Sequence, residues 1–293
     1  MVNLTSLSQV RALMDELDFR PSRTMGQSFL IDRNILDILV AAADLAPGDA
    51  VLEVGPGLGV VTECLLAECG LVKAVEKDRR LHAYLADRFA DAGNLQLIHA
   101  DAMDLAVPDM LIAGEGEGSA AIRKVVSNLP YSVGTRILVN LITAPVPPTR
   151  IVVTVQEEVA DRITAAPDSD EYGMLSVWCQ LGYECRILKI VSPTCFWPRP
   201  EVKSGILVLK ARGERLLDAP AQEAFLGLTR QAFMRRRKQM ATILSQGLDA
   251  GLTRDEATAA LEEAGIDPRS RPEAMDVAAW CRLTRVLFPG APR

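Results

Sequence analysis

Residues 49–59 read DAVLEVGPGLG, from Asp49 to Gly59. An apolar run, Val51 to Val54, breaks into three glycines at alternate positions, and a helix-compatible run, Val60 to Glu68, follows. Strand, glycine turn and helix in that order form the first unit of a parallel sheet wound with helices. Glycines at such a turn let the backbone approach a ligand closely. The spacing is acid-x-Gly-x-Gly-x-Gly, carried by Glu53, Gly55, Gly57 and Gly59. It is not the dinucleotide pattern G-x-G-x-x-G, because Val60 stands in the third glycine's place. The turn therefore suits a ligand with an amino-acid end and a nucleoside end better than a pyrophosphate.

Downstream, strand and helix patterns keep alternating. LVKAVEKD reads as a strand, RRLHAYLADRFA as a helix and LQLIHADAM as a strand. The Gly/Glu-rich AGEGEGSA reads as a flexible connection, since its carboxylates would repel a phosphate. RKVVSNLPY is a strand, GTRILVNLI a helix, RIVVTVQ a strand and EEVADRIT a helix. GMLSVWCQLGYECRILKIV and SGILVLKARG supply a helix and closing strands. Upstream, Leu7, Val10, Leu13, Met14 and Leu17 recur at helical spacing, and RPSRTMGQSFLID is a loop entering a helix from Arg33 to Ala43. The expected fold is a doubly wound, Rossmann-like α/β sheet, with its βα loops gathered along one sheet edge.

From about Gly213 the texture changes. APAQEAFLGLTRQAFMRRRKQMATILSQGL, TRDEATAALEEAGI and RPEAMDVAAWCRLTRVLF read as helices with Gly and Pro punctuation. The expected division is an α/β domain over 1–212, including an N-terminal helical extension, and a small all-helical domain over 213–293. Net charge is −6, distributed as −7 before Gly213 and +1 from there on. Arg230, Arg235, Arg236, Arg237 and Lys238 cluster in the later part. They read either as a solvated helix face or as a phosphate-contacting patch.

Other classes fall away. No apolar run is long enough for a membrane span, and the N-terminus carries acids and no apolar h-region. The six cysteines make no CxxC pair, and His82 and His99 stand near no cysteine pair, so no metal site is expected. Scattered reduced thiols suit a cytoplasmic protein.

Glu76 ends the second strand, where a carboxylate can accept both ribose hydroxyl hydrogens. Asp101, followed by Ala102, ends the third, where a carboxylate can accept from an exocyclic adenine amine. S-adenosylmethionine fits the glycine, Glu and Asp ends together. The competing reading of Glu76 and Asp101 is local pairing with Lys77, Arg79 or Arg80.

The fourth strand ends VVSNLPYSVGT, Val125 to Thr135. Asn and Pro also form plain turns. Beside a methyl donor, however, each residue has a chemical use. An adenine amine is a poor nucleophile because its lone pair is delocalised into the ring. Two acceptors aimed at its hydrogens, the Asn128 side-chain oxygen and the Leu129 carbonyl held by Pro130, favour the tetrahedral amine. Holding that amine in line with the methyl adds proximity. Tyr131 offers a face for a swung-out base.

These motifs together resemble the ribosomal RNA adenine dimethyltransferases of the small subunit, the KsgA/RsmA type. EVGPGLG and NLPY carry the resemblance, with MGQSFLID, YGMLSV, PRPEVKSGILVL, QAFMRRRKQM and GIDPRSRPEAMDVAAW in order along nearly the whole chain. The resemblance implies a class I S-adenosylmethionine-dependent methyltransferase domain. It implies cofactor contacts at Ser28, Leu30, Glu53, Gly55, Gly57, Glu76, Asp101, Ala102 and Asn128. The implied base pocket comprises Asn128, Leu129, Pro130, Tyr131 and Phe196, with Phe196 on the base's other face or as a buried loop anchor. Read as a phosphate-contacting patch, the basic cluster places RNA contacts at Arg235, Arg236, Arg237 and Lys238. Ser28 stands where the family usually has Asn, which shortens the reach to the cofactor. SVGT replaces the usual NIST after Tyr131. The implied reaction dimethylates N6 of two neighbouring adenines near the 3′ end of small-subunit rRNA, in an assembling subunit and by a monomer. A large-subunit rRNA methylase and an assembly factor acting mainly by binding are the alternatives.

Overall fold

The fold is built outward from strand β1 (Ala50–Val54) of a computed structural model describing residues 2–22, 24–113, 120–247 and 251–289. Helices α1 (Leu7–Glu16) and α2 (Arg33–Ala41) precede it. Asp32 caps α2 by accepting the Ile35 N–H at 3.0 Å. After β1 come α3 (Val60–Glu68), β2 (Leu71–Glu76), α4 (Arg79–Arg88) and β3 (Leu95–His99). Then follow β4 (Lys124–Asn128), α5 (Gly134–Ile142), β5 (Arg150–Gln156) and α6 (Glu157–Thr164). Helix α7 (Met174–Gly182), β6 (Tyr183–Val191) and β7 (Ser204–Ala211) complete the α/β part.

The seven strands lie in the order β3-β2-β1-β4-β5-β7-β6. Neighbours from β3 through β5 are parallel, and β7 runs antiparallel to β5. The central strands are apolar almost throughout, as burial on both faces requires. The order reverses at β1: the chain builds outward to β3 and then returns to place β4 on β1's other side. A ligand crevice belongs at the carboxyl ends of β1 and β4. Under the sheet, Leu36, Leu39 and Val40 of α2 share a core with Val51, Val72, Val126 and Val152.

The chain divides into two compact units, each discontinuous in sequence. The first holds residues 1–160 and 186–211, the second 161–185 and 212–293. A cut after 212 would leave α7 with the sheet. Instead α7 packs with α8 (Ala219–Phe233) and α11 (Val277–Leu287), because Trp178 donates its Nε1–H to the buried Thr229 hydroxyl at 2.9 Å. In the same unit Tyr172 donates to the Met275 carbonyl at 2.8 Å, and Phe233 lies between the rings of Tyr172 and the buried Trp280. Helix α10 (Arg254–Glu263) opens on a Thr253/Glu256 capping box.

The stretch containing the basic cluster is not one continuous helix. Helix α8 ends at Phe233, and α9 starts at Met240 and runs to Gly247, with a turn over 234–239. All six turn residues are exposed, so no apolar face continues through them. The start of α9 is taken up elsewhere: the N–H groups of Met240 and Ala241 donate to the Ser270 and Pro268 carbonyls. The AGEGEGSA connection lies largely outside the described residues. No described helix is long and apolar enough to cross a membrane.

Candidate active site

The turn after β1 forms the floor of the site. Gly55, Gly57 and Gly59 all have positive φ, at 72°, 61° and 85°. A Cβ on Gly55 would stand 3.1 Å from Pro130, and one on Gly57 2.8 Å from the Phe29 ring. The glycines are therefore needed for close approach as well as for backbone conformation. Gly59 caps α3 and directs the positive end of its dipole at the turn.

Two buried carboxyls support this floor. The Gly57 N–H donates to Glu76 Oε2 at 3.0 Å and the Asp78 N–H to Oε1 at 2.8 Å. Glu76 is thus held by backbone amides, not by the neighbouring cations. Burial pushes its carboxyl up to about 7 despite those two bonds. Glu53 accepts the Thr62 hydroxyl at 2.7 Å and is pushed to about 8, chiefly by burial. Asp101 differs from both. Lys77 Nζ lies 2.6 Å from its Oδ2 and the Met103 N–H donates to Oδ1 at 2.9 Å. The Lys77 bond and the Met103 amide hold it below the usual carboxylate range. The local pairing weighed for Asp101 is therefore present, on one oxygen.

Asn128 is the last residue of β4, and both ends of its amide are engaged. Its Nδ2 donates to the Ser28 carbonyl at 2.8 Å, and its Oδ1 accepts the Thr154 hydroxyl. Among the described residues no donor reaches the Leu129 carbonyl, whereas the Pro130 carbonyl accepts the Val133 and Gly134 amides. The Ser28 hydroxyl turns away and donates to the Pro198 carbonyl at 2.8 Å. At the departure from Asn, this side chain braces the 196–198 loop.

A cavity of about 280 Å³ joins these groups. Ser28, Leu30, Glu53, Gly55, Gly57, Glu76, Asp101, Ala102, Asn128, Leu129 and Pro130 all line it. Its length from Asp101 past Glu76 to Asn128 offers acceptors for an amine and for ribose hydroxyls, and glycine amides for an amino-acid end. The residues present fit S-adenosylmethionine. Tyr131 and Phe196 lie outside the lining. The Tyr131 hydroxyl meets the buried Ser204 hydroxyl at 2.5 Å, and its ring stands edge-on to Phe196 at 6.5 Å. Phe196 is 2% exposed and packs in the core beside Leu30, so it matches the loop-anchor reading and backs Tyr131.

Sequence reasoning missed Thr154 and Ser204. The signal for Thr154 was a lone hydroxyl inside the apolar run Ile151–Val155. It also treated the four basic residues alike. All four line an open groove with Met234, but Arg236 is also tied down, pairing with Glu273 at 2.7 Å and donating to the Asp170 carbonyl at 3.2 Å.

The sheet order, the antiparallel β7 and this crevice define a class I S-adenosylmethionine-dependent methyltransferase. The chain belongs to the ribosomal RNA adenine dimethylase family, whose model matches residues 19–287. A relative from Moorella thermoacetica, ribosomal RNA small subunit methyltransferase A, is 38% identical over 290 residues, covering 98% of this chain and 99% of that one. A crystal structure of a dimethyladenosine transferase from Plasmodium falciparum aligns with a TM-score of 0.73 at 21% identity, covering 89% of this chain and 98% of that one. The structure of the 23S rRNA methyltransferase ErmE aligns at 0.66 and 25% identity, covering 88% and 99%.

Proposed function

We propose that this protein transfers methyl groups from S-adenosylmethionine to N6 of two adjacent adenines near the 3′ end of small-subunit rRNA during ribosome assembly. It acts as a monomer in the cytoplasm. The observation that carries the reading is the held Asn128 amide at the end of the cofactor cavity, next to the open Leu129 carbonyl. The family supplies the base and the RNA. The near-full-length relative named for the small subunit is closer in sequence than the large-subunit ErmE, which favours the small-subunit substrate.

S-adenosylmethionine supplies an electrophilic methyl group on a sulfonium. The chain orients the nucleophile. Asn128 Oδ1 and the Leu129 carbonyl accept the two amine hydrogens, which draws the nitrogen towards a tetrahedral shape and exposes its lone pair. Glu76 holds the ribose hydroxyls and Asp101 the cofactor's adenine amine. Tyr131 carries the flipped base. Arg235, Arg237 and Lys238 contact phosphates.

Mass spectrometry of small-subunit rRNA from cells lacking this protein tests the reading: the dimethyladenines are lost and return with the gene. Methyl label confined to large-subunit RNA would refute it. Asn128→Ala abolishes transfer and leaves cofactor affinity, measured by calorimetry, within about threefold, because its main role is at the target amine.

A further inference from the structure

Thr154 is fully buried on β5, directly opposite Asn128 in the parallel pairing of β4 with β5. It touches both residues that carry the acceptors assigned to the target amine. Its hydroxyl donates to Asn128 Oδ1, and its backbone carbonyl accepts the Leu129 N–H at 3.3 Å.

The orientation of the Asn128 amide follows from its neighbours' chemistry. A backbone carbonyl can only accept, so the Ser28 carbonyl takes the Nδ2 end. Oδ1 then faces Thr154 and the cavity. With the Ser28 contact alone, the amide plane can still swing about that bond. The Thr154 hydroxyl is a second anchor of opposite polarity at the other end. It occupies one lone pair of Oδ1 from the sheet side and leaves the other available to a second donor at a residue that lines the cavity. We propose that Thr154 is a positioning residue for methyl transfer, fixing the Asn128 oxygen towards the target amine. This rests on the function proposed above.

Thr154→Val keeps shape and burial and removes only the donor; Thr154→Ser restores it. Transfer kinetics, cofactor calorimetry, thermal unfolding and the Asn128 side-chain amide resonances, assigned with Asn128→Ala, are compared. In Thr154→Val, kcat falls about 10- to 100-fold, the scale of a misplaced reacting group. KM and Kd for S-adenosylmethionine stay within twofold, and the amide resonances broaden or shift. Thr154→Ser recovers most of the rate and the wild-type resonances.

An unchanged kcat in Thr154→Val overturns the proposal. So does a slowed variant whose Asn128 resonances do not move, or a Thr154→Ser as slow as Thr154→Val. If the wild type methylates a different RNA, the substrate reading fails, and the same kinetics on that RNA decide the role of Thr154. If no RNA accepts label, the amide resonances decide it alone.

Discussion

Glu53 and Glu76 are 1% and 4% exposed, and each has lost the water that stabilises a carboxylate. The native state therefore binds their protons more tightly than the unfolded chain, whose carboxyls have the ordinary value of about 4.5. The contribution of Glu53 to stability is complete below about 4.5 and is lost as pH rises to about 8. Unfolding scans across pH 5 to 9 give a falling midpoint for the cofactor-free protein, and Glu53→Gln flattens that fall over the same range. Glu76 works in the opposite sense on binding, because only the ionised form leaves both oxygens able to accept a ribose hydroxyl beside the Gly57 and Asp78 amides. Calorimetry finds S-adenosylmethionine affinity dropping as pH falls through about 7. Glu76→Gln weakens binding about tenfold or more and removes that dependence. These acids were legible in the sequence because strand ends and glycine turns fix where side chains emerge. Thr154 and Ser204 were not, since their roles arise only when neighbouring strands fall into register.

The loop of residues 24–28 shows what an element adds. Gly26 has φ of +66°, and a Cβ there would stand 2.7 Å from the Ser132 amide nitrogen. The Ser132 hydroxyl donates to the Met25 carbonyl at 3.1 Å, and the Ser28 carbonyl holds Asn128. This loop is the clamp on the motif that ends β4. Gly26→Ala adds about 1–2 kcal/mol of backbone strain and pushes the 130–132 turn away. The expected result is a loss of kcat larger than the loss of stability, read from transfer rates beside thermal unfolding. The helix pattern around α8 and α9 was legible, but its break was not. Residues 234–239 have ordinary helical propensity; their exposure leaves no apolar face to continue the helix, and the segment 268–270 accepts the first N–H groups of α9.

At the scale of the molecule, overall charge says little about nucleic-acid binding. The total is −6, yet Arg235, Arg237 and Lys238 stand together on one exposed turn. Replacing these three with Ala lowers the slope of log affinity for RNA against log salt by about 2–3 and leaves thermal stability unchanged. Arg236→Ala does the reverse: its ion pair with Glu273 is partly exposed and contributes about 0.5–1 kcal/mol to folding. An equal salt effect from Arg236→Ala would erase that distinction. The alternation of strands and helices made the sheet readable from sequence, but the partition into units was not. Helix α7 has the same apolar texture as the helices around it, and only its packing partners assign it to the second unit.

That partition also constrains inheritance. Residues 161–185 and 212–293 share one core but are separated in the gene by the codons for residues 186–211, which belong to the other. A single crossover within residues 186–211 delivers α7 from one parent and its partners from the other, with mismatched apolar surfaces. Exchange of the helical unit alone between lineages requires three breakpoints, after residues 160, 185 and 211, so both stretches should carry the same ancestry.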